Sequence, residues 1–151
     1  MFQERNASTL LFSALMTRIF GVPRSKTDIQ KRNALTGRVF FQMHPQLYPY
    51  LLDRLRRCTG NLDSGLDLHP ALFPVLLLLA RLQAPSGADV SVFSLEPFIP
   101  LVQACAASPV LKTRQLAAQT LIPLLTPEAS AGFLSQFLER IPSFRKHNEL
   151  H

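Results

Sequence analysis

The sequence predicts an all-α fold: an armadillo/HEAT-type α-solenoid segment of about six to eight helices. Three observations carry this. Two stretches are apolar nearly all round at helical spacing, so they need cover on more than one side. Ser or Thr followed by Pro recurs at helix starts, at Ser108-Pro109 and Thr126-Pro127. One helix pattern also occurs twice: Arg5, Ser8, Thr9, Phe12 and Leu15 lie over Arg114, Ala117, Ala118, Leu121 and Leu124, an offset of 109 residues. An Arg, two small residues for close helix contact and large apolar residues one and two turns on make the second-helix pattern of repeats of about 40–47 residues. A closed helical bundle is the structural alternative.

Composition agrees. The 151 residues suit one domain, 1–151, read as a single helical segment. Hydrophobic residues at 47% against 17% charged describe a globular chain. Trp is absent, Tyr is scarce, and Leu and Ala outnumber β-branched residues, which favours helix over strand.

The first element is Arg5 to Phe20. At 100° per residue its Leu, Ala, Ile, Met and Phe side chains cover most of the circumference, and Thr9, Ser13 and Thr17 leave one hydroxyl stripe. Arg18 interrupts the run short of the ~20 apolar residues a membrane span needs. The helix is therefore expected to be an inner member of a stack. Gly21 is placed to stop it in the left-handed conformation, with Pro23 beyond. The stretch from Val22 to Thr36 reads as a long polar connector.

Thr36 caps a short helix through Val39, Phe40, Phe41 and Met43. Pro45 opens a helix from Gln46 to Arg57, with Leu47, Tyr48, Leu51, Leu52 and Leu55 inward and Asp53, Arg54, Arg56 and Arg57 outward. Cys58 to Leu68 carries loop chemistry. Ala71 to Gln83 is the second all-round apolar helix, and Ala84 to Asp89 a loop open to proteolysis. A helix begins at Ser94 or Glu96. Ser108-Pro109 opens the next, with Pro123 to kink or end it, and Thr126-Pro127 opens the last, through Phe133, Leu134, Phe137 and Leu138.

The net charge of +6 is concentrated at one end. Residues 1–57 hold ten Lys/Arg against three acids, a balance of +7, while the rest sums to −1. Such asymmetry points to an anionic partner, nucleic acid before membrane, and the competing reading is a solvated basic face. The candidate RNA contacts are Arg24, Lys26, Lys31 and Arg32 in the polar connector, and Arg38. Arg5 and Arg18 are equally suited to bonding neighbouring carbonyls along the stack.

No catalytic constellation is legible. The six glycines form no phosphate-cradling motif, and the four histidines are scattered. His44 and His69 precede prolines at helix starts, where capping or packing explains them. Cys58 and Cys105 lack metal or redox spacing and read as reduced thiols of a cytoplasmic chain. No secretory leader is apparent. The sequence therefore predicts no enzyme, no cofactor, no metal and no membrane.

The stretch Arg5 to Gly21 closely resembles the THADA family. The likeness continues through Thr36 to Phe41, Pro45 to Leu52, Pro97 to Pro100, Ser108 to Val110 and the tail Phe144 to Asn148. The resemblance implies a segment of a much larger armadillo/HEAT-type solenoid. It further implies a non-catalytic, regulatory partner of a methyltransferase that modifies a ribose 2′-hydroxyl in the tRNA anticodon loop. That partner binds and positions the tRNA, so the implied partners are the catalytic subunit and tRNA. The family's Arg-Arg-Ser-Ala-Gly motif is absent from this sequence. A protein–protein interaction segment without RNA contact is the alternative. A solenoid needs polar capping repeats, and neither Phe2-Gln3 nor Ile141-Pro142 resembles one. The isolated chain is therefore expected to expose apolar surface, and to self-associate or be only marginally folded.

Overall fold

A computed structural model describes residues 2–21, 35–60, 71–85 and 92–140. Among them are seven α-helices: α1 (Phe2–Phe20), α2 (Gly37–Met43), α3 (Leu47–Gly60), α4 (Leu72–Leu79), α5 (Ile99–Cys105), α6 (Leu111–Leu124) and α7 (Pro127–Arg140). A 3₁₀ turn at Glu96–Phe98 leads into α5. The architecture is an all-α, solenoid-like segment. Helix α6 packs on α4 and α5, and α3 packs on the same two helices.

Local chemistry sets several helix ends. Gly21 takes φ 75°, and its N–H donates to Thr17 O at 2.9 Å, the left-handed stop expected after α1. Thr36 caps α2, with Val39 N–H donating to its Oγ1 at 3.4 Å. Thr126 caps α7, with Ala129 N–H donating to its Oγ1 at 3.2 Å and Pro127 in the first turn. Ser108 differs from its expected role. Its Oγ accepts from Val110 N–H at 3.2 Å, a local turn, and α6 starts later, at Leu111. Pro123 is accommodated in the last turn of α6, which runs on to Leu124.

Two boundaries move. Helix α3 continues through Cys58, which is buried, to Gly60 instead of stopping at Arg57. Helix α4 ends at Leu79, short of the expected Gln83. Arg81 N–H turns back to Leu78 O at 3.0 Å, and Leu82–Gln83 becomes a strand, β2. It pairs in parallel with β1 (Leu35–Thr36), Leu35 opposite Leu82 and Thr36 opposite Gln83. Ala84 N–H then donates to Pro123 O at 2.8 Å, tying this segment to the end of α6. The pairing gives partners to backbone groups of Leu82 and Gln83, which no longer lie in the helix.

The core joins α2 to α6. Phe40, Phe41, Leu55, Leu72, Leu76, Leu79, Phe98 and Val102 are wholly buried. An aromatic cluster sits where α1, α2, α3 and the 3₁₀ turn meet. Phe41 stacks on Phe98 at 6.2 Å and meets Tyr48 edge-on at 5.0 Å, and Phe20 stacks on Phe40 at 5.9 Å. Such pairs contribute about 0.5–1.5 kcal/mol each beyond the area they bury. Tyr48 donates its hydroxyl to Ser94 O at 2.8 Å, which fixes the approach to the 3₁₀ turn. Gly37 is required at the start of α2, because a Cβ there would lie 2.7 Å from buried Leu95 Cδ2.

Helix α1 departs from the sequence expectation. It was expected inside a stack, yet only the line Phe12, Met16 and Phe20 is covered. Leu10, Leu11, Leu15 and Ile19 remain 71%, 62%, 49% and 42% exposed. Helix α4 fits its expectation better: Leu72, Val75, Leu76 and Leu79 are buried, and Leu77 faces out.

Candidate nucleic-acid interface

Arg24, Lys26, Lys31 and Arg32 lie outside the described residues. Arg38 is exposed in the first turn of α2, next to the buried Gly37. The described basic surface is led by α3 with Arg54, Arg56 and Arg57, which the helical spacing places outward and which are not among the sequence's candidate contacts.

Helix α3 is amphipathic by construction. Leu51, Leu55 and Cys58 fall at i, i+4 and i+7 and are buried. That register leaves Tyr50, Asp53, Arg56 and Arg57 exposed, with Arg54 half-buried at the flank of the apolar stripe. Tyr50 is 51% exposed, although the chain's other tyrosine, Tyr48, is built into the aromatic cluster. The Arg54 guanidinium lies over the Tyr50 ring, its Cζ 5.1 Å from the centroid. Arg57 Nε bonds Asp53 Oδ2 at 2.9 Å across one turn, both side chains well exposed. A solvent-screened pair of this kind adds at most about 1 kcal/mol.

The helix thus presents three guanidinium groups, one carboxylate and one open aromatic ring. Guanidinium groups bind phosphate oxygens through paired N–H donors, and exposed tyrosine offers a flat surface for a base. Spacing alone marked the arginines as outward. The aromatic neighbour is what distinguishes this face from an ordinary solvated one, and its i, i+4 relation to Arg54 was legible in the sequence.

The arginine of the repeated pattern does a different job. Arg114 Nη1 donates to Ser108 O and Pro109 O, each at 2.9 Å, so it clamps the turn that precedes α6. A shallow cleft of about 320 Å³ between α4 and α6, lined by Phe73, Leu77, Lys112, Gln115, Leu116 and Gln119, has Lys112 Nζ 5.9 Å from the Phe73 ring centroid. Among the described residues no three His, Cys, Asp or Glu side chains are grouped to hold a metal, and no helix is long and apolar enough to cross a membrane.

A family model described as Trm732, C-terminal TPR repeats, matches residues 5–151. The mouse tRNA (32-2′-O)-methyltransferase regulator THADA is 42% identical over 143 residues, which covers 92% of this chain and 7% of that protein. The human protein of the same name is 43% identical over the same length. The tRNA (32-2′-O)-methyltransferase regulator trm732 of Schizosaccharomyces pombe is 32% identical over 151 residues, covering 97% of this chain and 10% of that protein. The chain thus spans a tenth or less of the length of these relatives. No solved structure matches. A family model over nearly the whole sequence, and relatives that align along most of it, establish that the chain belongs to the THADA/Trm732 family.

Proposed function

We propose that this chain is a non-catalytic segment of a tRNA methyltransferase regulator and that it contributes to tRNA binding and positioning. The observation that carries the proposal is the outer side of α3, where Arg54 lies over exposed Tyr50 and Arg56 and Arg57 follow along the same helix. It lies in the third of the chain that holds the whole positive balance. The relatives' names suggest the ligand class and the kind of enzyme partner. In this reading Arg24, Lys26, Lys31, Arg32 and Arg38 are further RNA contacts. The partners are tRNA and a methyltransferase catalytic subunit, and the compartment is the cytoplasm. The 151 residues act as one helical segment, with repeats of the armadillo/HEAT kind on the strength of the shared α1 and α6 pattern.

Phosphate contacts release condensed counterions, so tRNA affinity falls with salt in proportion to their number. Two neutralised variants test the proposal: Arg24, Lys26, Lys31 and Arg32 to Gln together, and Arg54, Arg56 and Arg57 to Gln together. Each is expected to weaken tRNA binding and flatten its salt dependence. Unchanged affinity and slope in both would remove this surface from tRNA binding and leave the protein–protein alternative, to which the bare apolar faces of α1 and α7 lend support.

A further inference from the structure

The cleft between α4 and α6 lies away from the α3 arginines and has a different lining. Helices α3, α4, α6 and α5 close a ring of packing: α3 on α4, α4 on α6, α6 on α5 and α5 on α3. The outer side of the α4–α6 seam therefore opens on the flank of the segment, and no lining residue belongs to α1 or α7. The two wall helices run in the same direction. Lys112 reaches the Phe73 ring near the start of both, and Thr120 Oγ1 meets Leu76 O further along.

The α6 wall is polar. Gln115 and Gln119 lie one turn apart, both exposed, and neither side-chain amide has a hydrogen-bond partner among the described residues. Lys112, three residues earlier on the same row, is exposed and pairs with no carboxylate among the described residues. The α4 wall is apolar, with Phe73 half-buried and Leu77 exposed, and buried Leu116 forms the floor. A primary amide both donates and accepts, so it bonds the N–H and C=O that one residue of an extended chain turns to the same side. In such a chain these pairs recur every second residue, about 6.6–6.8 Å apart. Four residues advance about 6 Å along a helix, so Gln115 and Gln119 match that repeat. Lys112, about 4.5 Å further along the axis, puts one positive charge at the end of the row. Phosphate oxygens only accept and would leave both amide carbonyls unused. Residues 58–151 also sum to −1, so no basic surround favours nucleic acid here.

We propose that the α4–α6 groove docks an extended peptide segment of a partner protein, with apolar residues at alternate positions over Phe73 and Leu77 and an Asp or Glu at the Lys112 end. Main-chain bonds to Gln115 and Gln119 hold the segment, and the alternate side chains and the carboxylate select it. This docking is separate from tRNA contact by α3 and does not depend on it.

Selection of random nine-residue peptides, displayed on phage, against the folded 151-residue chain tests this. It is expected to enrich peptides with an acidic residue beside alternating apolar ones. The strongest of them, synthesised with a fluorescent label, is expected to bind about tenfold more weakly to the chain carrying Gln115→Ala and Gln119→Ala. Alanine at two exposed helical positions preserves the helix, so that loss reads the groove and not the fold. Selection on Lys112→Glu is expected to exchange the acidic residue for Lys or Arg at the same place. No enrichment, enriched peptides without the acidic residue, undiminished binding to the double variant or an unchanged preference on Lys112→Glu would each overturn the proposal. So would loss of tRNA affinity in the double variant with no peptide selected, which would make the groove an RNA site.

Discussion

Arg81 holds the end of α1. Its Nη2 donates to Gly21 O at 3.2 Å, and its guanidinium lies 5.6 Å from the centroid of the Phe20 ring. The same nitrogen approaches Phe20 O at 3.5 Å. A residue just past α4 thus binds both a terminal carbonyl and the anchoring ring of α1. The site is part-buried, where a hydrogen bond from a charged donor contributes about 1.5–3 kcal/mol.

Replacing Arg81 with Ala is expected to release α1 locally while the α2–α6 core stays folded. Amide exchange along α1 should rise by roughly tenfold or more, for a loss of about 1.4 kcal/mol or more. Exchange in α6 should stay unchanged. Equal acceleration in both helices would show that α1 and the core open as one unit.

Two buried threonines on α6 are expected to respond oppositely to valine. Thr120 Oγ1 donates within α6 to Leu116 O at 2.7 Å, and Leu76 O of α4 lies 3.1 Å away, so the one proton is shared between the helix and the α4–α6 seam. Thr113 Oγ1 is buried with no partner among the described residues. Thr120→Val should cost about 1 kcal/mol, and Thr113→Val should be neutral or stabilising by about 1 kcal/mol, since an unpaired buried hydroxyl is removed. Chemical unfolding of the two variants decides it. A destabilised Thr113→Val would mean that its hydroxyl is bonded in solution.

These two seams mark what the sequence reveals and what it hides. The Thr36 and Thr126 caps and the Gly21 stop involve residues within four positions, and they were legible. The outward arginines of α3 followed from the spacing of Leu51 and Leu55. The end of α4 was not legible, because Leu82–Gln83 is drawn off by a strand 47 residues away, and hydropathy period carries no such information. Nor was the fate of α1. Its apolar circumference called for cover, but no local signal says whether this chain supplies it. The Tyr50 and Arg54 pair was visible as spacing and acquired meaning only once Tyr50 proved open and Tyr48 closed.

The two thiols set a pH limit. Burial, reinforced by nearby Cys58, pushes the Cys105 thiol from 9.0 up to about 11, and burial also raises Cys58. The folded state therefore holds these protons more tightly than the unfolded chain. Their contribution is fully present below about pH 9 and is lost as pH rises toward 11. Stability should be insensitive to these groups at neutral pH and decline across that window, and Cys105→Ala should lessen the decline. At pH 8 both thiols should label with alkylating reagents only as fast as the chain opens. Rapid labelling under native conditions would contradict their burial.

The face of α3 bears the central claim, that this segment contacts tRNA. Tyr50→Ala should weaken tRNA binding by about 1–3 kcal/mol, the range for a stacked base, and leave the salt slope unchanged. Tyr50→Phe should restore most of the loss. Arg54→Gln should weaken binding and also lower the slope by about one.

The most direct measurement is the affinity of the folded 151-residue chain for tRNA across a salt series. The account predicts binding whose logarithm falls linearly with the logarithm of salt, with a smaller slope once Arg54, Arg56 and Arg57 are neutralised. No binding at low salt by a chain of native helix content would contradict it and assign this segment to protein contacts alone.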